Sequence, residues 1–250
     1  MDKVGTYQFM AEPFHCDFSG RLFAGHLGNH LLNAADFHST DRGFGMKYLN
    51  TIQKTWVLSR LCIEMEDMPQ QYAHFNVETW VESAMRYFTN RNFRVVSTDG
   101  QAIYGYGRSI WAMIDTQSRQ PTDIFAIDHG AINNWIVSEK ECPIAKSGRV
   151  KMGTRTEEVG VVETRYSDID INGHVNSVKY IEHILDIWPV EWFKSHRLHR
   201  LEIAYVAEAY AGERLTLSRE QVSDNTWHVR IAKKSETEVV RAAVSFTNLL

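Results

Sequence analysis

Cysteine is scarce in this chain: three in 250 residues, Cys16, Cys62 and Cys142, at wide and irregular spacing. Such a set builds neither a disulfide framework nor a zinc-binding spacing, and it fits a reducing, cytoplasmic setting. Proline is scarcer than in a linker-rich or low-complexity chain, with five residues. Positive charge is not in excess. The formal net charge is −4, which excludes nucleic-acid binding driven by phosphate contacts along the whole chain. No run approaches the roughly 18 apolar residues of a membrane span, so no membrane association is expected. The opening stretch MDKVGTYQFMAEPF carries two early charges and no apolar core, so neither a signal nor a transit peptide is expected. No G-x-G-x-x-G or G-K-[ST] loop marks a phosphate site, and no G-x-S-x-G elbow marks a serine hydrolase.

What remains is the composition of a globular protein, 44% hydrophobic with twelve phenylalanines and seven tryptophans, enough to fill a sizeable core. One pattern is written twice. A β-like stretch (6–18 and 157–169) precedes an apolar-periodic helix (22–38 and 173–188), in whose second copy Val178, Ile181, Leu185 and Trp188 recur at helical spacing. Strands follow at 55–65 and 203–215. A long hairpin then closes each half, 90–114 with Asp99-Gly100 at its turn, and 225–249 with a polar tip at Lys234–Thr237. Gly25-His26-Leu27 matches Gly173-His174-Val175 at an offset of 148 residues, a short match supported by the shared element order. The region 115–149 is polar, holds two of the five prolines and lacks a sustained period, so it reads as a linker with a short helix. Strand, long helix and antiparallel meander give an α+β architecture.

The stretch SDIDINGHVNSVKYIEHILD (167–186) crowds Asp168, Asp170, Asn172, His174 and Asn176 into nine residues, where one cap would start a helix. It resembles the second-domain signature of the acyl-ACP thioesterases, known from plant plastids and from bacteria. KTWVLSRLCIEM and GRSIWAMIDTQSRQP are similar to the family's first domain, and LEIAYVAEAYAGERL to its second, so the resemblance covers nearly the whole chain. It implies two tandem hot-dog domains, each a long helix wrapped by an antiparallel sheet: 1–127 for acyl binding, a linker over 128–153, and a catalytic domain over 154–250. It implies hydrolysis of fatty acyl-[acyl carrier protein], with no cofactor, and the missing transit peptide suggests a bacterial rather than a plastid protein. Asp170, Asn172, His174 and Glu208 fall on its catalytic positions. Plant members have a cysteine directly after that glutamate; here Ala209 stands there, which removes a cysteine nucleophile at this place. A homodimer is a family-level expectation.

Residue chemistry agrees. Thioester hydrolysis needs an activated nucleophile and donors for the developing oxyanion. A helix N-terminus at Gly173 and His174 would supply backbone N–H groups. Asp170 can attack the carbonyl or orient water, His174 can relay a proton, and Glu208, read as lying on a strand, can act as base. At the 148 offset, Asp170, Asn172 and His174 face Leu22, Ala24 and His26, so one active site is expected and His26 is read as structural. The acyl slot is expected from Leu22, Phe23, Leu27, Leu31, Trp56, Leu58, Trp111 and Met113. An acidic carrier calls for local basic surface, assigned to the loop at 194–200 with Lys194, Arg197 and Arg200. His26, His30 and His38 have helical spacing that can hold zinc, but no acidic or cysteine ligand lies nearby in sequence, so no metal is expected. An acyl-CoA thioesterase of the same fold and a non-catalytic acyl-binding module are the alternatives.

Overall fold

The structure is a computed structural model that describes residues 2–249. The chain divides into two compact units. The first takes the chain up to Arg60 together with Met65–Lys146, the second Leu61–Glu64 together with the chain from Ser147 onward. The first unit thus runs through most of the segment read as a linker, which carries a 3-10 stretch at Ile124–Trp135 and buries Ile132, Val137 and Ile144.

The first unit runs β1 (Gly5–Met10), a 3-10 turn at Pro13–His15, α1 (Ala24–Asp41), α2 (Met46–Thr51), β2 (Lys54–Met65, of which Leu61–Glu64 falls in the second unit), β3 (His74–Ala84), β4 (Phe88–Ser97) and β5 (Ile103–Asp115). Its strand order is β1-β3-β4-β5-β2. α1 buries Leu27, Leu31, Ala34 and Ala35, spaced as one face of a helix requires. It lies against β3 and β1. β3 alternates with period two, burying Phe75, Val77, Thr79 and Val81. Arg91 of β4 is buried and finds acceptors in the protein, donating to Ser39 Oγ on α1 (3.0 Å) and to Thr79 Oγ1 on β3 (3.2 Å).

The second unit repeats the plan: β6 (Glu157–Glu163), a 3-10 turn at Tyr166–Asp168, α3 (Ser177–Leu185), α4 (Val190–Phe193), β7 (His196–Tyr205), β8 (Arg214–Ser223), β9 (Thr226–Lys233) and β10 (Glu238–Asn248). Its strand order is β7-β10-β9-β8-β6, with β6 last and a register slip between Glu158 and Gly160. Val178, Ile181, Ile184 and Leu185 of α3 are buried, and Trp188, Trp227 and Phe246 close one end with edge-on rings 5.0–5.7 Å apart.

Three expectations are corrected here. α3 begins at Ser177, capped by the Asn176 side chain, which accepts from Val178 N at 3.2 Å, so Gly173 and His174 precede the helix. The run 203–215 is not one strand: β7 stops at Tyr205, and an Ala-rich loop turns at Gly212 (φ +81°) before β8. The segment 194–200 is largely strand, since β7 starts at His196. Among the described residues no helix is long and apolar enough to cross a membrane.

Candidate active site

The loop between β6 and α3 is built by its own polar groups. Asp170 forms an Asx turn, its Oδ1 accepting from Asn172 N at 2.8 Å. Gly173 N donates to Asp170 O (3.0 Å) and Asp170 N to His174 O (2.9 Å), while Gly173 sits at φ +80°, a backbone region glycine enters without penalty. An isolated bridge joins Ile169 to Val175, and Val175 N donates to Ala209 O at 2.9 Å. That last bond docks the loop onto the segment after β7, which brings two residues 34 apart in sequence together. His174 Nε2 lies 3.3 Å from Glu208 Oε2. Tyr210 donates its hydroxyl to the same carboxylate oxygen at 3.2 Å and sets its ring edge-on to the His174 imidazole at 5.1 Å. Both His174 and Glu208 keep part of their surface, so a substrate can reach them.

Behind this pair, α3 places Tyr180. Its hydroxyl is buried without a hydrogen-bond partner, and burial pushes its pKa well up, with the carboxylates of Glu213, Asp168, Asp170 and Glu208 acting in the same direction. Asp168 is a structural member of the opening cluster. It is buried, and its Oδ2 accepts from Arg165 N at 2.7 Å.

The expected oxyanion pair needs correction. With the helix starting at Ser177, the dipole argument at Gly173 fails, and the Gly173 N–H is already given to Asp170 O. Glu208 stands in a loop, not on a strand.

The first unit reproduces the same loop, at a different register from the one the sequence suggested. Asp17 Oδ1 accepts from Ser19 N at 2.8 Å, Gly20 N donates to Asp17 O, and Asp17 N donates to Arg21 O. Gly20 has φ +74°, Cys16 bridges Leu22, and Leu22 N donates to Pro69 O at 2.8 Å. The true offset is therefore 153 residues: Asp17, Ser19, Gly20 and Arg21 answer to Asp170, Asn172, Gly173 and His174. The match of Gly25-His26 to Gly173-His174 is a coincidence, since His26 lies inside α1 whereas His174 precedes α3. By the docking bond, Pro69 answers to Ala209, so Met68 stands where Glu208 does. Arg21 pairs with Asp67 at 3.0 Å. Both units keep the aspartate turn, and only the second carries the histidine and glutamate.

The expected acyl residues lie in the first unit. Leu22, Leu27, Leu31, Leu58 and Met113 are buried core. Phe23, Trp56 and Trp111 are half-buried, with the indoles donating to Phe44 O (3.0 Å) and Ser109 Oγ (2.8 Å). Of the expected docking cations, Lys194 is exposed and pairs with Glu191 at 2.9 Å, and Arg197 is half-buried on β7. Arg200 is mostly buried, held by Glu202 at 2.8 Å and by Glu64, and this double pairing withdraws it from docking.

Two units in one chain, each an antiparallel sheet packed with its helix, and a histidine–glutamate pair in one of them, define a tandem hot-dog protein. The acyl-ACP thioesterase N-terminal domain matches residues 4–126 and the acyl-ACP thioesterase C-terminal domain residues 153–248. The chain belongs to the acyl-ACP thioesterase family. It is similar to an acyl-ACP thioesterase structure from Bacteroides thetaiotaomicron VPI-5482, with 51% identity, 98% of each chain covered and a TM-score of 0.91. The fold is shared with the 12:0-ACP thioesterase from Umbellularia californica, at 19% identity, TM-score 0.83, and 100% and 99% of the two chains covered. A palmitoyl-acyl carrier protein thioesterase of Gossypium hirsutum chloroplasts is 28% identical over 194 residues, 73% of this chain and 46% of that protein. The chain spans about half the length of the curated plant relatives it matches.

Proposed function

We propose that this protein hydrolyses the thioester between a fatty acyl group and acyl carrier protein, releasing the free fatty acid. The supporting observation is the His174–Glu208 pair, held at 3.3 Å on a loop whose twin in the first unit lacks both residues. A binding module would have no need for the difference.

In the proposed reaction Glu208 takes a proton from water as the water oxygen bonds to the thioester carbon. The carbonyl oxygen becomes an oxyanion, met by the backbone N–H of His174 and the exposed amide of Asn172. The C–S bond then breaks, and the departing carrier thiolate recovers a proton through His174. Asp170 holds the turn and adds negative charge beside an imidazole that turns cationic during transfer. Phe23, Trp56 and Trp111 are the members of the acyl set with surface left to contact a chain. Lys194, exposed, and Arg197, half-buried, are the basic side chains proposed to meet an acidic carrier.

The test is turnover on a panel of acyl-ACP substrates of different chain length, run beside the same acyl groups on CoA. Hydrolysis of acyl-ACP, lowered about 10²–10⁴-fold in Glu208→Gln, is expected. Tight acyl binding without turnover would replace the enzyme by a carrier module, and a preference for CoA would replace the substrate.

A further inference from the structure

A second cluster of titratable side chains lies in the first unit. Glu12 precedes the 3-10 turn, His15 ends it, and His30 lies on the second turn of α1. One ligand atom from each lies within 4.8 Å of the others. His15 Nδ1 is 3.0 Å from Glu12 Oε2, and His30 Nε2 is 3.8 Å from the same oxygen. His30 is buried, and its Nε2 is closed to solvent without a hydrogen-bond partner. A buried polar atom left in that state is a cost the fold bears unless something meets it. Glu12 and His15 keep about 40% of their side-chain surface, so the cluster opens to solvent on their side.

We infer that Glu12, His15 and His30 form a site for a divalent cation of the zinc class, with three protein ligands and a fourth position open to water. Two imidazoles and a carboxylate are a donor set that zinc takes readily. Metal–ligand bonds of about 2.0–2.1 Å place neighbouring donors of a tetrahedron roughly 3.3 Å apart. The two separations from Glu12, 3.0 and 3.8 Å, straddle that value and the two imidazole donors lie within 4.8 Å of one another, so side-chain adjustment of about an ångström closes the site. The bound ion would tie the Pro13–His15 turn to α1.

The second unit supplies an internal control. At the 153 offset His30 answers to His183, whose Nε2 is also buried without a hydrogen bond and lies 3.7 Å from Asp168. Glu12 answers to Arg165, so the third donor is replaced by a cation, and Asp168 is committed to the Arg165 N–H. Two donors beside an arginine do not make a site.

The test uses the full-length, untagged, chelator-treated protein, titrated with Zn2+ by calorimetry and with Co2+ by visible absorption. One equivalent is expected, with the strong d–d bands of four-coordinate cobalt and a rise in Tm. Glu12→Gln and His15→Gln, both partly exposed, are expected to weaken binding at least about a hundredfold, as is His30→Gln where it folds, while His183→Gln leaves it unchanged. No stoichiometric binding, binding that survives Glu12→Gln, or binding lost in His183→Gln would overturn the site.

Discussion

At the scale of single residues, Glu208 and its neighbour separate two chemistries. Glu208→Gln keeps size and most hydrogen bonding but loses the base, and turnover is expected to fall about 10²–10⁴-fold on acyl-ACP. Ala209 is fully buried beneath the loop, its carbonyl holding Val175. A thiol there would be shielded and poorly ionised, so Ala209→Cys is expected to keep activity and resist thiol reagents. Recovery of turnover in the Glu208→Gln/Ala209→Cys double variant would instead place a covalent thiol mechanism at this site. His38 makes a separate point about acid. It is fully buried on α1, faces Arg91 and Arg42, and its ring nitrogen Nε2 donates to Lys3 O at 3.0 Å. Burial, with Arg91 adding to it, pushes its pKa down to about 3. The unfolded chain takes up a proton near the ordinary value of about 6.5 while the native state does not, so stability falls as pH drops from there toward 3. Per group the slope is about 1.4 kcal/mol per pH unit. Urea midpoints at pH 7 and pH 5 should converge in His38→Gln relative to wild type; an unchanged pH response would show that His38 is not the titrating group.

At the scale of elements, the duplicated loop permits a matched pair of substitutions. Gly20 and Gly173 sit at φ +74° and +80°, and a Cβ on Gly173 would meet nothing within 4 Å, so the penalty there is conformational rather than steric. Gly20→Ala and Gly173→Ala are each expected to lower stability by about 1–2 kcal/mol. Only Gly173→Ala should lower kcat, because only that loop carries a histidine to displace. Equal kinetic effects from both would detach the loop geometry from catalysis. These same loops show what the sequence could tell. The α1 face, the Asp99-Gly100 hairpin and the polar tip at Lys234–Thr237 were legible, since periodicity and turn chemistry are local. The start of α3 was not, because Asp170 and Asn176 are both capable caps and only the Ile169–Val175 bridge decides between them. β3 went unread despite the alternation of Phe75, Val77, Thr79 and Val81, and β8 was merged with β7 across an Ala-rich loop. The polar set around His174 came from a resemblance, whereas the Glu12–His15–His30 grouping needed the chain to bring a 3-10 turn back onto α1, which spacing along α1 alone cannot reveal.

At the scale of the molecule, charge would set how the proposed carrier is met. The chain is net negative, so an acidic partner must find a local exception. Reversing Lys194 and Arg197 together (Lys194→Glu/Arg197→Glu) is expected to raise KM for acyl-ACP about tenfold at low salt, with little change for a small acyl thioester. Equal changes on both substrates would assign the residues to folding or chemistry instead. The negative balance has a further use at β6. Among the described residues this strand ends the strand order, pairs with β8 and carries Glu157, Glu158 and Glu163, Glu157 being ion-paired with Arg219 at 2.8 Å, with a register slip at Glu158/Gly160. A bare strand flank is a template on which another molecule can polymerise. Here a second copy laid alongside would bring Glu158 and Glu163 near their own counterparts, and the register slip interrupts the regular ladder that stacking requires. Crowded expression should therefore leave the protein dispersed, and Glu158→Gln/Glu163→Gln is expected to raise its tendency to aggregate, read by light scattering.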